Sequence, residues 1–218
     1  MAISFFGKKP GADQRARAGT AGGKPAPRSE LSTLDFSGAG DIGRALAQCA
    51  DKVEVLEVFS YACIHCAHFQ PYADEIKAKL PAFAEFSYMP AIFNDQWEAF
   101  ARAYYTAQSL GLLDKTHQAM FDAVHRDHRP FRSFDDIAAF YGEHGADVEK
   151  FKQIATSFEV ESKLARSRSM VPKYGVDGTP TIIVDGKYRV TGASAGGYPQ
   201  MVALVELLAR KAHEAKGK

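Results

Sequence analysis

Val53-Glu54-Val55-Leu56-Glu57-Val58-Phe59-Ser60-Tyr61-Ala62-Cys63-Ile64-His65-Cys66 joins a β-branched, almost continuous apolar run to a CxxC tetrad. The run through Phe59 reads as a buried central strand. Cys63 then opens a helix expected to run through Leu80, with Pro71 removing one backbone hydrogen bond and kinking it. This order puts Cys63 where the first N–H groups of a helix have no intrahelical partner. Those donors, with the positive end of the helix dipole, favour a thiolate over a thiol. His65, when protonated, adds a cation near the same sulfur. Cys66 lies one turn on, on the same face and close enough to close a disulfide. Being further into the helix, it should be the more shielded. Cys63 is therefore expected to be the exchanging sulfur and Cys66 the resolving one.

Glu57 shares a strand face with Val55 and Phe59, which places an acid among apolar groups. Burial without a partner raises a carboxyl pKa. At the strand end feeding the Cys63 turn, Glu57 is placed to carry a proton for Cys66; a glutamate at the sheet margin with water access is the plainer alternative. Far downstream, Gly178 allows a tight turn before Thr179-Pro180. Pro180 begins a strand, the place where a central strand tolerates proline. Among X-Pro bonds in general trans is the common form. A cis bond here would expose the Thr179 backbone to an extended peptide.

Outward from these motifs, a short strand is expected at Leu31–Phe36, a helix from Gly40 to Ala50 and a second strand at Glu85–Ala91. Cys49, in that first helix, reads as an inert small hydrophobe. From Trp97 to Val171 the pattern is helical, with Phe100, Tyr104, Ala107 and Leu110 at helical spacing. Ser133 with Asp136 forms an N-terminal capping pair, Gly142 and Gly145 end that helix, and Asp147 can cap the next. A long helix then runs from near Ser157 towards Met170, ending before Pro172. Asp185-Gly186 between Pro180–Val184 and Lys187–Thr191 signals a type I′ hairpin, and a closing helix covers Tyr198 to Lys211. His117, His125, His128, His144 and His213 are read as surface or capping residues. The order gives an α/β fold: a thioredoxin-like mixed sheet flanked by helices, residues 31–96 and 172–213, interrupted by an all-helical insertion at 97–171. Residues 214–218 form a C-terminal tail.

The 218 residues, 46% hydrophobic and 24% charged, suit an ordinary globular chain. A net charge of +1 gives no electrostatic reason to bind nucleic acid, and no 18-residue apolar run is present to span a membrane. Residues 1–30 are basic and rich in glycine and proline, with almost no apolar content after Phe6. They are expected to be a disordered tail, and no export signal is read in them. Three cysteines are too few for a disulfide scaffold. Cys63, Cys66, His65 and His68 are potential zinc ligands, with Cys49 as a fifth. A structural zinc site usually pairs two ligand clusters, and no second CxxC or HxxxH is found. No metal or cofactor is therefore assigned, and a metal-binding module using Cys63, Cys66 and His68 stands as an alternative. Covalent haem attachment needs a histidine where Ala67 stands.

The segment Val55–Cys66 resembles the active-site segment of the DsbA family of periplasmic thiol:disulfide interchange proteins. Tyr174-Gly175-Val176-Asp177-Gly178-Thr179-Pro180-Thr181, followed by Val184-Asp185-Gly186-Lys187-Tyr188, is similar to that family's cis-proline segment and hairpin. The resemblance covers residues 31–213. Ile64-His65 stands where the best-known members carry Pro-His, and Thr179 where valine is common. The likeness implies that Pro180 is cis, that Thr179 and Pro180 bind substrate and that Glu57 is the buried acid. It also implies oxidation of cysteines in exported, folding proteins. A low-pKa cysteine and an oxidising disulfide are properties for which DsbA is itself the reference case. It further implies a periplasmic monomer reoxidised by a quinone-linked membrane protein. A thioredoxin-like reductant or isomerase is the other reading within thiol–disulfide chemistry.

Overall fold

The computed structural model describes residues 52–217. The strand expected at Leu31–Phe36, the helix at Gly40–Ala50 with Cys49, and the tail at 1–30 lie outside them.

A four-stranded mixed sheet forms the frame. Its strands are β1 (Val53–Phe59), β2 (Ala84–Pro90), β3 (Thr181–Val184) and β4 (Tyr188–Thr191), in the spatial order β2-β1-β3-β4. β1 is the central strand: it pairs parallel with β2 and antiparallel with β3, and β3 pairs antiparallel with β4. The apolar character of β1 on both faces follows from this position. Val53 and Val55 face a layer built from α1 (Ile64–Lys79) and α8 (Tyr198–Lys216). Leu56 and Val58 face the opposite layer, with Val171 from α6 (Phe158–Lys173) and Val176 beyond it. The β3–β4 hairpin turns through Asp185 (φ 53°) and Gly186 (φ 66°), with Lys187 N–H donating to the Val184 carbonyl at 3.0 Å. Both central residues have positive φ, the type I′ requirement that Asp-Gly meets.

Between β2 and β3 run α2 (Asp95–Ser109), α3 (Leu113–His125), α4 (Phe134–Glu143), α5 (Val148–Ala155) and α6. Helix α2 starts two residues before Trp97, because the Asn94 side chain accepts the Trp97 N–H and caps it there. Ser133 and Asp136 close a full capping box on α4, and Asp147 caps α5. The large apolar side chains of these helices, Phe100, Tyr104, Met120, Phe121, Phe140, Tyr141 and Phe151, pack in one core with Phe59, Tyr61, Cys63 and Cys66.

Two helix ends differ from expectation, and one short helix is additional. Helix α6 does not stop at Met170 but includes Pro172. The proline sits in the last turn, where it forfeits a single helix hydrogen bond, and the end is closed by Tyr174 N–H to Met170 O and Val176 N–H to Val171 O, with Gly175 at φ +64°. Helix α8 runs past Lys211 to Lys216, so residues 214–216 are helix, not tail. Three contacts hold this last turn: buried Ala212, the His213 ring stacked on Phe83 at 3.9 Å, and Lys216 Nζ on Asp185 at 2.7 Å. A one-turn helix, α7 (Gly192–Ala195), was not foreseen; Thr191 and Ser194 cap it reciprocally.

Candidate active site

Cys63 is the N-cap of α1, in extended conformation (φ −96°, ψ 112°). The Ser60–Cys63 turn is closed by the Cys63 N–H on the Ser60 carbonyl at 3.0 Å. The first-turn amides of His65 and Cys66 lie beside the Cys63 sulfur, the Cys66 N–H also donating to the Cys63 carbonyl at 3.0 Å. The Cys63 thiol lies 3.4 Å from the carbonyl oxygen of Thr179, whose bond to Pro180 is cis. The β1–β3 pairing brings the two motifs together: Val58 opposes Thr181, so each strand ends beside the other's functional loop.

The two cysteines sit in unequal surroundings. Cys63 is 9% exposed and Cys66 is fully buried. Hydrogen bonding from Cys66 pulls the Cys63 pKa down, and Thr179 and the backbone N–H groups of Cys66 and His65 add to this against the opposing effect of burial, for a result of about 5. Burial pushes the Cys66 thiol well above the ordinary range. The Thr179 hydroxyl oxygen is shielded and has no hydrogen-bond partner; its proton is available to whichever sulfur is ionised.

The His65 side chain is exposed. The backbone N–H of His65 is among the groups that stabilise the Cys63 thiolate. Replacing His65 by alanine keeps that donor. We therefore expect His65→Ala to raise the Cys63 titration midpoint less than Cys66→Ala does, as read from thiolate absorbance against pH. The opposite ranking would return the tuning role to the ring charge.

Glu57 is completely buried, on the strand face of Val55 and Phe59, and neither carboxyl oxygen has a hydrogen-bond partner. Desolvation is the main cause of its pKa of about 8; Lys77 opposes it, while Asp74 and the Cys63 sulfur add to it. Glu57 and Cys66 act on each other electrostatically. A neutral acid thus stands near the buried sulfur at physiological pH.

His68 is exposed on α1, in a groove with Ile64, Phe121, His125 and Arg126. Among the described residues no group of three His, Cys, Asp or Glu side chains is arranged to hold a metal ion. No described helix is long and apolar enough to cross a membrane.

Sequence reasoning missed a second set of residues. His117, read as a surface position, packs among Phe59, Tyr61, Tyr88 and Phe121, with Tyr88 at 4.4 Å between ring centres. Its Nδ1 bonds the Tyr61 hydroxyl at 2.9 Å, and burial lowers its pKa to about 3. His125 Nε2 donates to the Tyr61 carbonyl at 2.8 Å. His213 is stacked on Phe83 as described, whereas His144 caps α4 by donating to the Phe140 carbonyl at 2.8 Å. Nothing local distinguishes His117 from the others, because its surroundings come from β1, β2 and α2.

Comparisons with known proteins agree with this geometry. The model of the DSBA-like thioredoxin domain family matches residues 85–197. The thiol:disulfide interchange protein DsbA of Pseudomonas aeruginosa is 34% identical over 167 residues, covering 77% of this chain and 79% of the relative. The DsbA of Azotobacter vinelandii is 32% identical over 165 residues, covering 76% and 77%. The crystal structure of Pseudomonas aeruginosa DsbA superposes with a TM-score of 0.73 at 34% identity, over 77% of this chain and 88% of that one. A reactive cysteine beside a cis proline, a shielded partner cysteine and a kinship covering most of both chains point the same way: the chain belongs to the DSBA-like thioredoxin domain family and is a thiol–disulfide oxidoreductase.

Proposed function

We propose that the protein is a dithiol oxidase that donates the Cys63–Cys66 disulfide to folding, exported proteins in the periplasm. The observation that carries this reading is the asymmetry of the pair, a Cys63 pKa of about 5 beside a Cys66 pKa raised by burial. Stabilising the thiolate of the reduced form makes the disulfide easier to reduce, and so a stronger oxidant.

In the forward direction a substrate thiolate attacks Cys63 Sγ. The Cys63–Cys66 bond breaks and the electron pair leaves on Cys66. Glu57, neutral at that pH, gives its proton to the Cys66 thiolate. A second substrate thiolate then attacks the substrate sulfur of the mixed disulfide and expels Cys63 as a stabilised thiolate. The Thr179 backbone beside Cys63 and the adjoining Pro180 form the surface on which an extended substrate segment rests. His65 supplies a backbone donor to Cys63. The reduced pair needs an electron acceptor, for which family membership favours a quinone-linked membrane protein. Family membership favours action as a monomer.

The reduction potential of the Cys63–Cys66 pair, measured against glutathione, tests the direction. A value well above that of thioredoxin, about −270 mV, is expected. A thioredoxin-like value would make the protein a reductant.

A further inference from the structure

Tyr61 lies two residues before Cys63, inside the turn that delivers the sulfur to the start of α1. It is buried, and both of its polar ends are held by α3, one of the helices between β2 and β3. Its hydroxyl and the Nδ1 of His117 are 2.9 Å apart, and its carbonyl accepts the Nε2–H of His125 at 2.8 Å. His117, Phe121 and His125 follow one another at four-residue spacing on α3, so all three share a face. Phe121 fills the space between the histidines: its ring meets Tyr61 edge-on at 5.0 Å and His117 at 5.3 Å, and stacks on His125 at 6.4 Å. Within the turn, the Ala62 N–H reaches Ser60 Oγ at 3.2 Å and the Cys63 N–H reaches the Ser60 carbonyl. Those bonds close the turn; the two from α3 fix where it stands. A carbonyl only accepts, so His125 Nε2 carries a hydrogen whether its ring is neutral or charged. The Nε2 of His117 is sealed without a partner. A buried imidazole with one nitrogen orphaned costs stability, and phenylalanine would fill the same place without that cost. What histidine adds there is the bond to Tyr61.

We propose that His117 and His125 are positioning residues for the disulfide exchange: they grip Tyr61 by its hydroxyl and its carbonyl, and so keep Cys63 seated against the first-turn amides of α1. This rests on the reading of the Cys63–Cys66 pair as an oxidant, which it deepens. The device is preorganisation. Hydrogen bonds to a thiolate weaken steeply as distance and angle depart from their optimum. Were the Tyr61–Ala62 peptide released, Cys63 could drift from the amides of His65 and Cys66. The disulfide and the protonated thiol lose little by that movement, whereas the thiolate loses its donors. Holding the turn therefore favours the reduced, ionised state over the oxidised one. A disulfide whose reduced form is favoured in this way is the stronger oxidant. Neither histidine carries a proton or a covalent bond in the exchange; both act through Tyr61. The helices between β2 and β3 thus contribute to the chemistry by a hydrogen-bonded grip on the loop that presents the sulfur.

The test uses the full-length protein and three readouts. These are the Cys63 thiolate titration, taken as the absorbance difference between reduced and oxidised protein, the equilibrium constant for reduction of the pair by glutathione, and denaturant unfolding. His125→Phe keeps a ring on Phe121 and removes the donor to Tyr61. It is expected to raise the Cys63 midpoint and to lower the constant by a matching, severalfold factor, because reduced Cys63 is ionised at neutral pH. His125→Gln, whose amide can donate to the same carbonyl, should restore both. Tyr61→Phe combined with His117→Phe removes both partners of the other bond and leaves apolar rings of the same shape, so the fold should be about as stable as the parent. Both redox readouts should nonetheless move as they do in His125→Phe. His144→Phe is the control: it deletes a histidine-to-carbonyl bond at the end of α4 that does not involve Tyr61, and should change stability alone. Stability lost in His125→Phe, with titration and constant unmoved there and in the double variant, overturns the proposal and leaves the histidines a packing role. An equal shift in His125→Gln and His125→Phe overturns it as well. The oxidase reading is judged separately, by the potential of the unaltered protein, which these differences between variants do not touch.

Discussion

Cys63→Ala is expected to abolish disulfide transfer, whereas Cys66→Ala should accumulate long-lived mixed disulfides with substrate. The two sulfurs belong to one tetrad but not to one environment. Cys63 is the one at the surface, 3.4 Å from the Thr179 carbonyl, and it alone can be reached by a substrate thiolate. Without it no adduct forms. Without Cys66 a Cys63 adduct can form, yet no internal thiol is available to release it. Non-reducing gels of each variant incubated with a disulfide-containing substrate protein read this directly, the Cys63 thiolate attacking the substrate disulfide and expelling one substrate thiolate. Adducts of equal amount in both variants would show that Cys66 is also accessible, and the division of labour would fall.

Glu57→Leu should make the protein more stable and slower. The carboxyl is fully buried with both oxygens unpartnered, so replacing it orphans no other group. Its pKa of about 8 in the folded state, against an ordinary 4.5, means that the folded protein holds a proton which the unfolded chain releases. The sign follows: stability from this group is full below pH 4.5, falls as pH rises from 4.5 to 8, and is level above 8. At pH 7 the loss is on the order of 3 kcal/mol. The gain from Glu57→Leu should therefore widen between pH 4.5 and 8 and then flatten. Denaturant unfolding is best done on the oxidised form, where the opposite contribution of Cys63, stabilising as pH rises through about 5, is absent. A destabilised variant with unaltered exchange rate would mean that the carboxylate is held for packing.

Much of this site could be read from the chain because its components are local. Strand, turn and helix start are contiguous in Val53–Cys66, and a helix N-terminus acts on a cysteine there whatever the rest of the fold does. The burial of Glu57 followed from strand periodicity alone, and Asp185-Gly186 announced its own turn. What stayed hidden depends on elements distant in sequence. That the Cys63 thiol is tuned by Cys66 and by backbone amides, with the His65 ring exposed, is a matter of which way the helix faces. His117 is drawn inside by rings on β1, β2 and α2, elements far from it in sequence. The helix ends at Pro172 and Lys216 were misplaced because hydrogen bonds and a stacked ring beyond the local pattern closed them.

The aromatic packing around Phe59 and Tyr61 bears on how this protein could be rebuilt or diversified. Helices inserted into a sheet fold are often regarded as exchangeable attachments. Here Phe100, Tyr104, Phe121 and Tyr141 rest directly on the residues that precede Cys63. The block from α2 to α6 is thus a structural floor for the redox loop, and it cannot be swapped for another helical block without bringing along a matching Phe59 and Tyr61. A chimera that changes the floor alone should loosen the loop itself, so that substrate choice and redox behaviour are inherited together.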